Sequence, residues 1–478
     1  MSERPVSSVY GRQRPFLSPF DRVVLSVALV LVLLVGLTIG LGDRVGVQLV
    51  RVDPLGVARS TSGVLIQFSE TMNRETVTGR LHLEPAVAGD FSWNDTTLLF
   101  RPAQALRPGT EYTVILEPGA ESASGRQVLN EYRFSFMVRS PRVAYLYPSD
   151  SRPQNIWIAD PTDPDSARQL TFSTGTIFDF AASPDGTRIA IAEREGDIYT
   201  TNLKLLDLET GEIQPITNCP DSDCTGPVWR PDGRMIAYER VELNSPLPQV
   251  GVSPPRVWLI DLTTTPPSTR PLFSDSQVLG YGPQWSADGQ RIAVYDSSGP
   301  GILIYDFAED DLSFVPSTYG SLGALSPDGT RLVFPEVFAG DGGFVANLQV
   351  ADLETDTFKR LTGEDEPVDD DMPLWTLDGS AIVIARRYQD NRYTLGRQLY
   401  LKPMPSGEVT PLLVDERYSH GFYSWDPTGS QLVIQRFPLL NEDGSRNDFG
   451  RPEIWTYDVA NDRLTQIASN AMLGRWVP

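Results

Sequence analysis

The stretch VWRPDGRMIAYE, residues 228–239, decides the fold of most of the chain. A strand ending in Trp is followed by Pro-Asp-Gly and an aliphatic strand. Asp-Gly is typical of a tight turn, because Asp accepts hydrogen bonds from the nearby backbone and Gly takes a positive φ. The turn recurs as SPDG (183–186), RPDG (230–233), SADG (286–289), SPDG (326–329), TLDG (376–379) and DPTG (426–429). A repeat of about 48 residues predicts a β-propeller or a repeat array.

The ends of the repeat region predict the number of repeats. GRWVP at 474–478 brings Trp476 to the position before the turn, yet no turn follows it. RVAYLY at 142–147 has the form of the strand that follows each turn, such as RIAIAE at 188–193. The last residues should therefore complete the first repeat and close an all-β, seven-bladed propeller over 140–478, which removes the open edges of an unclosed array.

These repeats resemble the TolB-like, WD-repeat-like propellers of bacterial envelope proteins, and the resemblance covers residues 142–478. It implies a propeller fold. It implies less about function, because such propellers serve as interaction platforms, peptidase gates and enzymes alike.

The preceding segment, 43–139, reads as seven short strands separated by turn residues, which predicts a β-sandwich. It resembles bacterial Ig-like domains through FSETMN (68–73), LLFRPAQALRPGTEYTVIL (98–116) and FSFMV (134–138). The resemblance implies a spacer whose core contains Phe68, Trp93, Phe100, Tyr112 and Phe136.

Residues 23–42, VVLSVALVLVLLVGLTIGLG, carry no charge and are long enough to cross a bilayer as a helix. A cleaved signal peptide is the alternative, although no Ala-x-Ala-like cleavage site follows. Four Arg precede the run, so a cytoplasmic tail (1–22), a single transmembrane helix (23–42) and an extracytoplasmic remainder are expected in the cell membrane.

The chain has 62 acidic and 40 basic residues and a net charge of -22, which argues against binding of nucleic acid. Its two cysteines, Cys219 and Cys224, are close enough for a disulfide in an exported domain. Two thiols without further His or Cys make an incomplete zinc site, so no metal is expected there.

An enzyme is not expected, because no Gly-x-Ser-x-Gly elbow exists and the two histidines, His82 and His420, are isolated in the sequence. The acidic run EDEPVDDD (364–371) is either a solvated loop or a set of calcium ligands. No cofactor is predicted. A hydrolase or lyase with its site in the central channel is the alternative function.

Long connections between the second and third strands, at 241–256, 337–347, 387–397 and 437–452, instead favour a scaffold or receptor. Arg and Tyr are favoured at binding hot spots, and both are concentrated in RRYQDNRYTLGR (386–397). We expect a monomer that binds a protein or an envelope glycan there, unless these connections are ordinary solvated insertions. The predicted partner-binding residues are Arg386, Arg387, Tyr388, Arg392, Tyr393 and Arg397.

Overall fold

The computed structural model describes residues 19–41, 46–195, 200–243, 251–275, 277–296, 298–340, 343–364 and 366–478. Most of the predicted cytoplasmic tail and part of the connection 241–256 lie outside the described residues. The chain divides into two compact units, the larger of which contains Phe136–Pro478.

Helix α1 (Pro19–Leu41) begins before the predicted apolar run and covers nearly all of it. Its segment Phe20–Leu37 has a mean hydropathy of 2.4, and its side chains are exposed. A helix of 23 residues is about 35 Å long. By length and composition α1 is suited to be a membrane span or a signal sequence.

Two four-stranded sheets and a short helix, α2 (Arg74–Thr78), follow. The first sheet has the order β1 (Leu49–Asp53), β3 (Val64–Phe68), β6 (Thr97–Pro102), β5 (Gly89–Asn94). The second has the order β2 (Gly56–Ala58), β8 (Tyr132–Val138), β7 (Glu111–Leu116), β4 (Leu81–Glu84). Four of the five predicted core aromatics are buried; the fifth, Trp93, is half-buried and stacks on Phe68 at 6.0 Å between ring centroids.

From Arg142 onward the described chain forms successive antiparallel sets of four strands, the form of propeller blades. The first set is β11 (Asp163–Gln169), β10 (Asn155–Asp160), β9 (Arg142–Tyr147) and β36 (Met472–Val477). The second and third are β12 (Thr176–Ala182), β13 (Arg188–Arg194), β14 (Thr201–Asp207) and β15 (Ile213–Pro215), then β16 (Ser222–Trp229), β17 (Met235–Glu242), β18 (Arg256–Asp261) and β19 (Ser268–Pro271). A single parallel bridge, Thr201 to Asp223, joins these two sets.

Four further sets complete the series. The fourth is β20 (Tyr281–Trp285), β21 (Arg291–Asp296), β22 (Gly301–Asp306) and β23 (Asp311–Pro316), and the fifth is β24 (Ala324–Leu325), β25 (Arg331–Gly340), β26 (Gly343–Asp352) and β27 (Thr357–Arg360). The sixth is β28 (Val368–Trp375), β29 (Ala381–Tyr388), β30 (Gln398–Pro403) and β31 (Thr410–Leu413), and the seventh is β32 (Tyr418–Trp425), β33 (Gln431–Pro438), β34 (Glu453–Asp458) and β35 (Arg463–Ser469). No sheet among the described residues closes on itself, so the closed ring stays a prediction.

The repeated turn has the backbone that its sequence predicts. All six turn glycines have φ between +65° and +71°, where a side chain is strained. They are Gly186, Gly233, Gly289, Gly329, Gly379 and Gly429. In the turn at 326–329, Asp328 Oδ1 accepts from the backbone N–H of Thr330 at 3.1 Å, so the aspartate is a turn former.

The tryptophans at the position before the turn connect neighbouring sets through hydrogen bonds, with the exception of Trp425, whose buried indole N–H has no hydrogen-bond partner among the described residues. Trp229 donates its indole N–H to the carbonyl of Ala181, at 3.0 Å, and Trp375 donates to that of Ala324, at 3.0 Å. Trp476 makes the same bond, at 3.1 Å, from the first set to Ser424 in the seventh. A repeated residue thus supplies both buried ring area and a hydrogen bond from one sheet to the preceding one.

Cys219 and Cys224 form a disulfide, and both residues are buried. They lie at the entry to β16, where their sulfur atoms join a core cluster with Trp229 and Tyr238. The side chain of Asn202 accepts a hydrogen bond from the Cys219 backbone N–H at 2.8 Å. The connection into the third set is therefore held by a covalent bond and a polar contact.

Candidate functional site

The six predicted partner-binding residues occupy one end of the sixth set. Arg386, Arg387 and Tyr388 are the last residues of β29, and Arg397 directly precedes β30. Arg392 and Tyr393 lie in the connection between these strands. The structure thus brings all six to one hairpin, although half of them belong to a strand and not to the predicted loop.

Arg386 is a buried structural residue. Its side chain is only 2% exposed, and it donates Nε and Nη2 to the two carboxylate oxygens of Asp370 at 2.8 and 2.9 Å. Asp370 is fully buried and lies directly opposite Arg386 in the pairing of β28 with β29. Burial lowers the pKa of Arg386, but hydrogen bonds and charge from Asp370 outweigh it, so the pKa is raised overall and the guanidinium stays charged.

The other arginines are paired in the same way. Arg387 and Arg397 each donate Nη2 to Asp369 Oδ2 at 3.0 Å, and Arg392 donates Nη1 to Glu366 Oε1 at 3.0 Å. The predicted cationic segment therefore carries internal ion pairs and not an unbalanced positive charge.

The acidic partners of these arginines belong to the run 364–371, which is separate from the basic segment in the sequence. Asp369 and Asp370 are buried in β28, so the expectation of a solvated loop is wrong for these residues. Asp371 Oδ2 accepts from the Tyr319 hydroxyl at 2.9 Å and lies 3.6 Å from Arg397 Nη1. Burial and the Asp371 charge raise the pKa of Tyr319 to about 12, which keeps this donor protonated at neutral pH.

Tyrosine rings complete the cluster. Arg392 lies over the ring of Tyr388 at 3.7 Å from its centroid, and Arg387 lies 5.7 Å from that of Tyr393. Such contacts order a long arginine side chain on the surface. Tyr393 remains 52% exposed. Among the six residues, Tyr393 and Arg392 are therefore the ones best placed to meet a partner.

The seventh set contains an equivalent that sequence reasoning missed. Arg436 is the third residue from the end of β33, as Arg386 is of β29; it is also 2% exposed and donates to Asp415 at 2.6 Å. Its guanidinium lies 3.7 Å from the Tyr418 ring centroid and 4.9 Å from that of Trp455. The signal was present in the aligned strands AIVIAR and QLVIQR, both of which end in Arg.

His420 lies beside this cluster and is buried, and neither ring nitrogen has a hydrogen-bond partner. Burial, reinforced by the charge of Arg436, lowers its pKa to about 3. A catalytic triad requires a serine and a carboxylate at hydrogen-bonding distance from the imidazole, and His420 has neither. Within the described ranges, no group of three or more His, Cys, Asp or Glu side chains is arranged to hold a metal ion.

Apolar side chains are exposed near the connections between the second and third strands of the fifth, sixth and seventh sets. Phe344, the second residue of β26, is 82% exposed, and Phe449, between β33 and β34, is 92% exposed. Between them in the chain, the connection from β29 to β30 exposes Tyr393 and Leu395. The fifth, sixth and seventh sets therefore each expose an apolar residue in or directly beside the connection between their second and third strands.

Comparisons with known proteins match different parts of the chain. Residues 43–138 match the family of bacterial Ig-like domains, which confirms that resemblance. The solved structures similar to the chain include TolB and other β-propeller proteins. TolB from Acinetobacter baumannii is 15% identical, with a TM-score of 0.42, over 84% of this chain and 83% of that one.

Two further relatives carry enzyme names. An oligogalacturonate lyase from Vibrio parahaemolyticus is 15% identical, with a TM-score of 0.48, over 68% of this chain and 86% of that one. Tricorn protease homolog 1 of Streptomyces coelicolor is 29% identical over 152 residues, which are 31% of this chain and only 13% of that protein. Similarities of this size assign neither activity to this chain.

Proposed function

We propose that the protein is a membrane-anchored, extracytoplasmic scaffold or receptor without catalytic activity. Its long strand connections would contact a protein or glycan of the cell envelope. The observation that carries this proposal is the exposure of Phe344, Tyr393, Leu395 and Phe449 on three consecutive sets of strands. Contiguous apolar patches rimmed by polar residues are typical of interaction surfaces, and the proposal is that these four side chains contribute to one such patch.

Rigidity beneath these residues supports the same function. The connection that exposes Tyr393 and Leu395 is flanked by Arg386 of β29 and ends at Arg397, and these arginines are tied to Asp370 and Asp369. A surface ordered before binding loses less conformational entropy when a partner arrives. Ion pairs that hold this connection in place therefore favour binding, even though they leave no free charge to attract an anionic partner.

The proposal includes a closed ring of seven blades. Two observations support it: β36 pairs antiparallel with β9, and Trp476 donates to Ser424 of the seventh set. A ring would give the strand connections of consecutive blades a common face. Phe344, Tyr393 and Phe449 would then form one wall.

The anchor topology rests on the sequence around α1. Arg4, Arg12, Arg14 and Arg22 precede the apolar run, so the N-terminus would be cytoplasmic and the propeller extracytoplasmic. The disulfide between Cys219 and Cys224 agrees with export, because such bonds persist in oxidising compartments.

Two leucines of the sixth set allow a matched test. Leu395 is 46% exposed in the connection after β29, and Leu377 is 51% exposed in the turn before β29, at the opposite end of that strand. A variant with Tyr393→Ala and Leu395→Ala should lose envelope components captured by the wild type from solubilised membranes. Leu377→Ala should keep them. Identical captures from both variants would contradict the proposed surface.

A further inference from the structure

A cleft in the seventh set forms a second candidate site, beside the exposed connection between β33 and β34. Its volume is about 680 Å³, within the range of about 300–1,000 Å³ usual for small-molecule sites. The connection 438–453 forms one wall, and Tyr418 and the Ser469–Asn470 segment before β36 form the other.

The walls of this cleft are ordered by hydrogen bonds. Asn441 donates its backbone N–H to the carbonyl of Ser445 and its side-chain Nδ2 to Ser445 Oγ, at 2.8 and 2.9 Å. Asp150 joins the two walls, because it accepts from Asn470 Nδ2 at 2.9 Å and pairs with Arg451 of the connection 438–453 at 2.7 Å. These contacts connect the two walls and order the connection that forms the first of them.

Charge in the cleft is balanced, in contrast to the acidic chain around it. Arg417 and Arg451 line it together with Glu442 and Glu453. Arg417 is already paired with Asp415, and Glu453 accepts from the Trp455 indole N–H at 2.7 Å. This balance favours a ligand that is polar but uncharged, because an ion of either sign would meet as much repulsion as attraction.

The remaining groups suit a ligand rich in hydroxyls. Asn441 Nδ2 is used by Ser445 and Arg446, so Asn441 offers its Oδ1 as an acceptor; Asn447 offers its amide donors, and the exposed carboxylate of Glu442 supplies further acceptors. Phe449, 92% exposed at this cleft, provides an apolar ring that water solvates poorly. A sugar ring has an apolar C–H face, which could cover Phe449, and a rim of hydroxyls, which could bond to the amides.

We infer that this cleft binds a neutral oligosaccharide, with Phe449 stacking on a sugar ring and Asn441 bonding to its hydroxyls. This deepens the proposed function, on which it rests, by naming the ligand class for one part of the surface. The cleft belongs to the seventh set, whereas the Arg386 cluster and Tyr393 belong to the sixth.

The test uses the full-length chain in detergent micelles on an array of immobilised neutral oligosaccharides, namely glucans, mannans, galactans and N-acetylglucosamine oligomers, with uronic-acid oligomers beside them. We expect binding to a neutral member, at least tenfold weaker for Phe449→Ala and for Asn441→Ala. Phe344→Ala, which removes an exposed phenylalanine from β26 of the fifth set, should bind as the wild type does.

Several results would overturn the inference: no binding to any neutral member, binding to uronic-acid oligomers alone, or binding that Phe449→Ala leaves unchanged. A protein captured by the wild type but not by Phe449→Ala, without oligosaccharide binding, would also overturn it. Failure here is separable from failure of the proposed function, because the Tyr393 and Leu395 variant tests that surface without altering the cleft.

Discussion

The Arg386–Asp370 pair should be the most sensitive single point in the sixth set. Arg386→Met keeps much of the side-chain volume and removes the charge, which leaves Asp370 fully buried without its partner. Removing one member of a buried ion pair costs about 3–5 kcal/mol. With an unfolding entropy of about 2.1 cal/mol/K per residue over roughly 340 residues, the melting temperature should fall by about 4–7 °C.

The assay is thermal melting of the full-length chain in detergent, followed by tryptophan fluorescence. Arg392→Met is the matched control, since Arg392 belongs to the same segment and also pairs with carboxylates but is largely exposed. Its melting temperature should change far less, because solvent screens exposed pairs. Combining Arg386→Met with Asp370→Leu should restore most of the loss, because no buried charge then remains unpaired.

Equal shifts for Arg386→Met and Arg392→Met would refute this reasoning. So would a double variant that melts no higher than Arg386→Met alone, since the loss would then not arise from the uncompensated charge of Asp370.

Three further predictions concern other parts of the chain. His420 has a pKa of about 3 in the folded protein, below its ordinary 6.5. Its contribution to the free energy of unfolding is therefore complete above pH 6.5 and is lost as the pH falls towards 3. His420→Leu should therefore reduce the loss of unfolding free energy between pH 7 and pH 5 by about 2 kcal/mol, measured by denaturant titration. Deleting residues 471–478 should lower the melting temperature markedly, because the first set loses β36; unchanged melting would contradict ring closure. Replacing Cys219 and Cys224 with Ser should cost about 2 kcal/mol, and a stability equal to that of the wild type would show that this short loop needs no covalent closure.

The repeat could be read from the sequence because its signals are local. Asp-Gly fixes a turn within four residues, and the six glycines at the last position of the repeated turn all have the positive φ that it requires. Tryptophan recurs at the position before the turn, and in the structure Trp229 and Trp375 donate hydrogen bonds from there to the preceding sheet.

The ion-pair cluster could not be read in the same way, because it depends on register. Counting outward from the turn at 376–379 in a regular hairpin would place Asp371 opposite Arg386. A bulge between Asp371 and Leu374, where Met372 takes a φ of 52°, shifts the pairing by one residue and brings Asp370 there instead. No local residue pattern predicts this bulge. From the sequence alone, the acidic run and the basic segment are therefore two independent surface motifs.

The sequence likewise does not predict which of the arginine side chains are exposed. Arg386 and Arg392 are the same residue type six positions apart, yet one is buried in a strand and the other is exposed in a connection. The end of β29 lies between them and decides which of the two is buried. A sequence pattern locates the end of a strand only to within a few residues.

The central claim is that the connection after β29 faces a partner, and site-specific photocrosslinking in intact cells tests it most directly. A photoreactive amino acid would replace Leu395 in one strain and Leu377, at the opposite end of β29, in another. We predict a discrete crosslinked species from position 395 and none from position 377. Crosslinks of equal yield from both positions, or none from position 395, would contradict the claim.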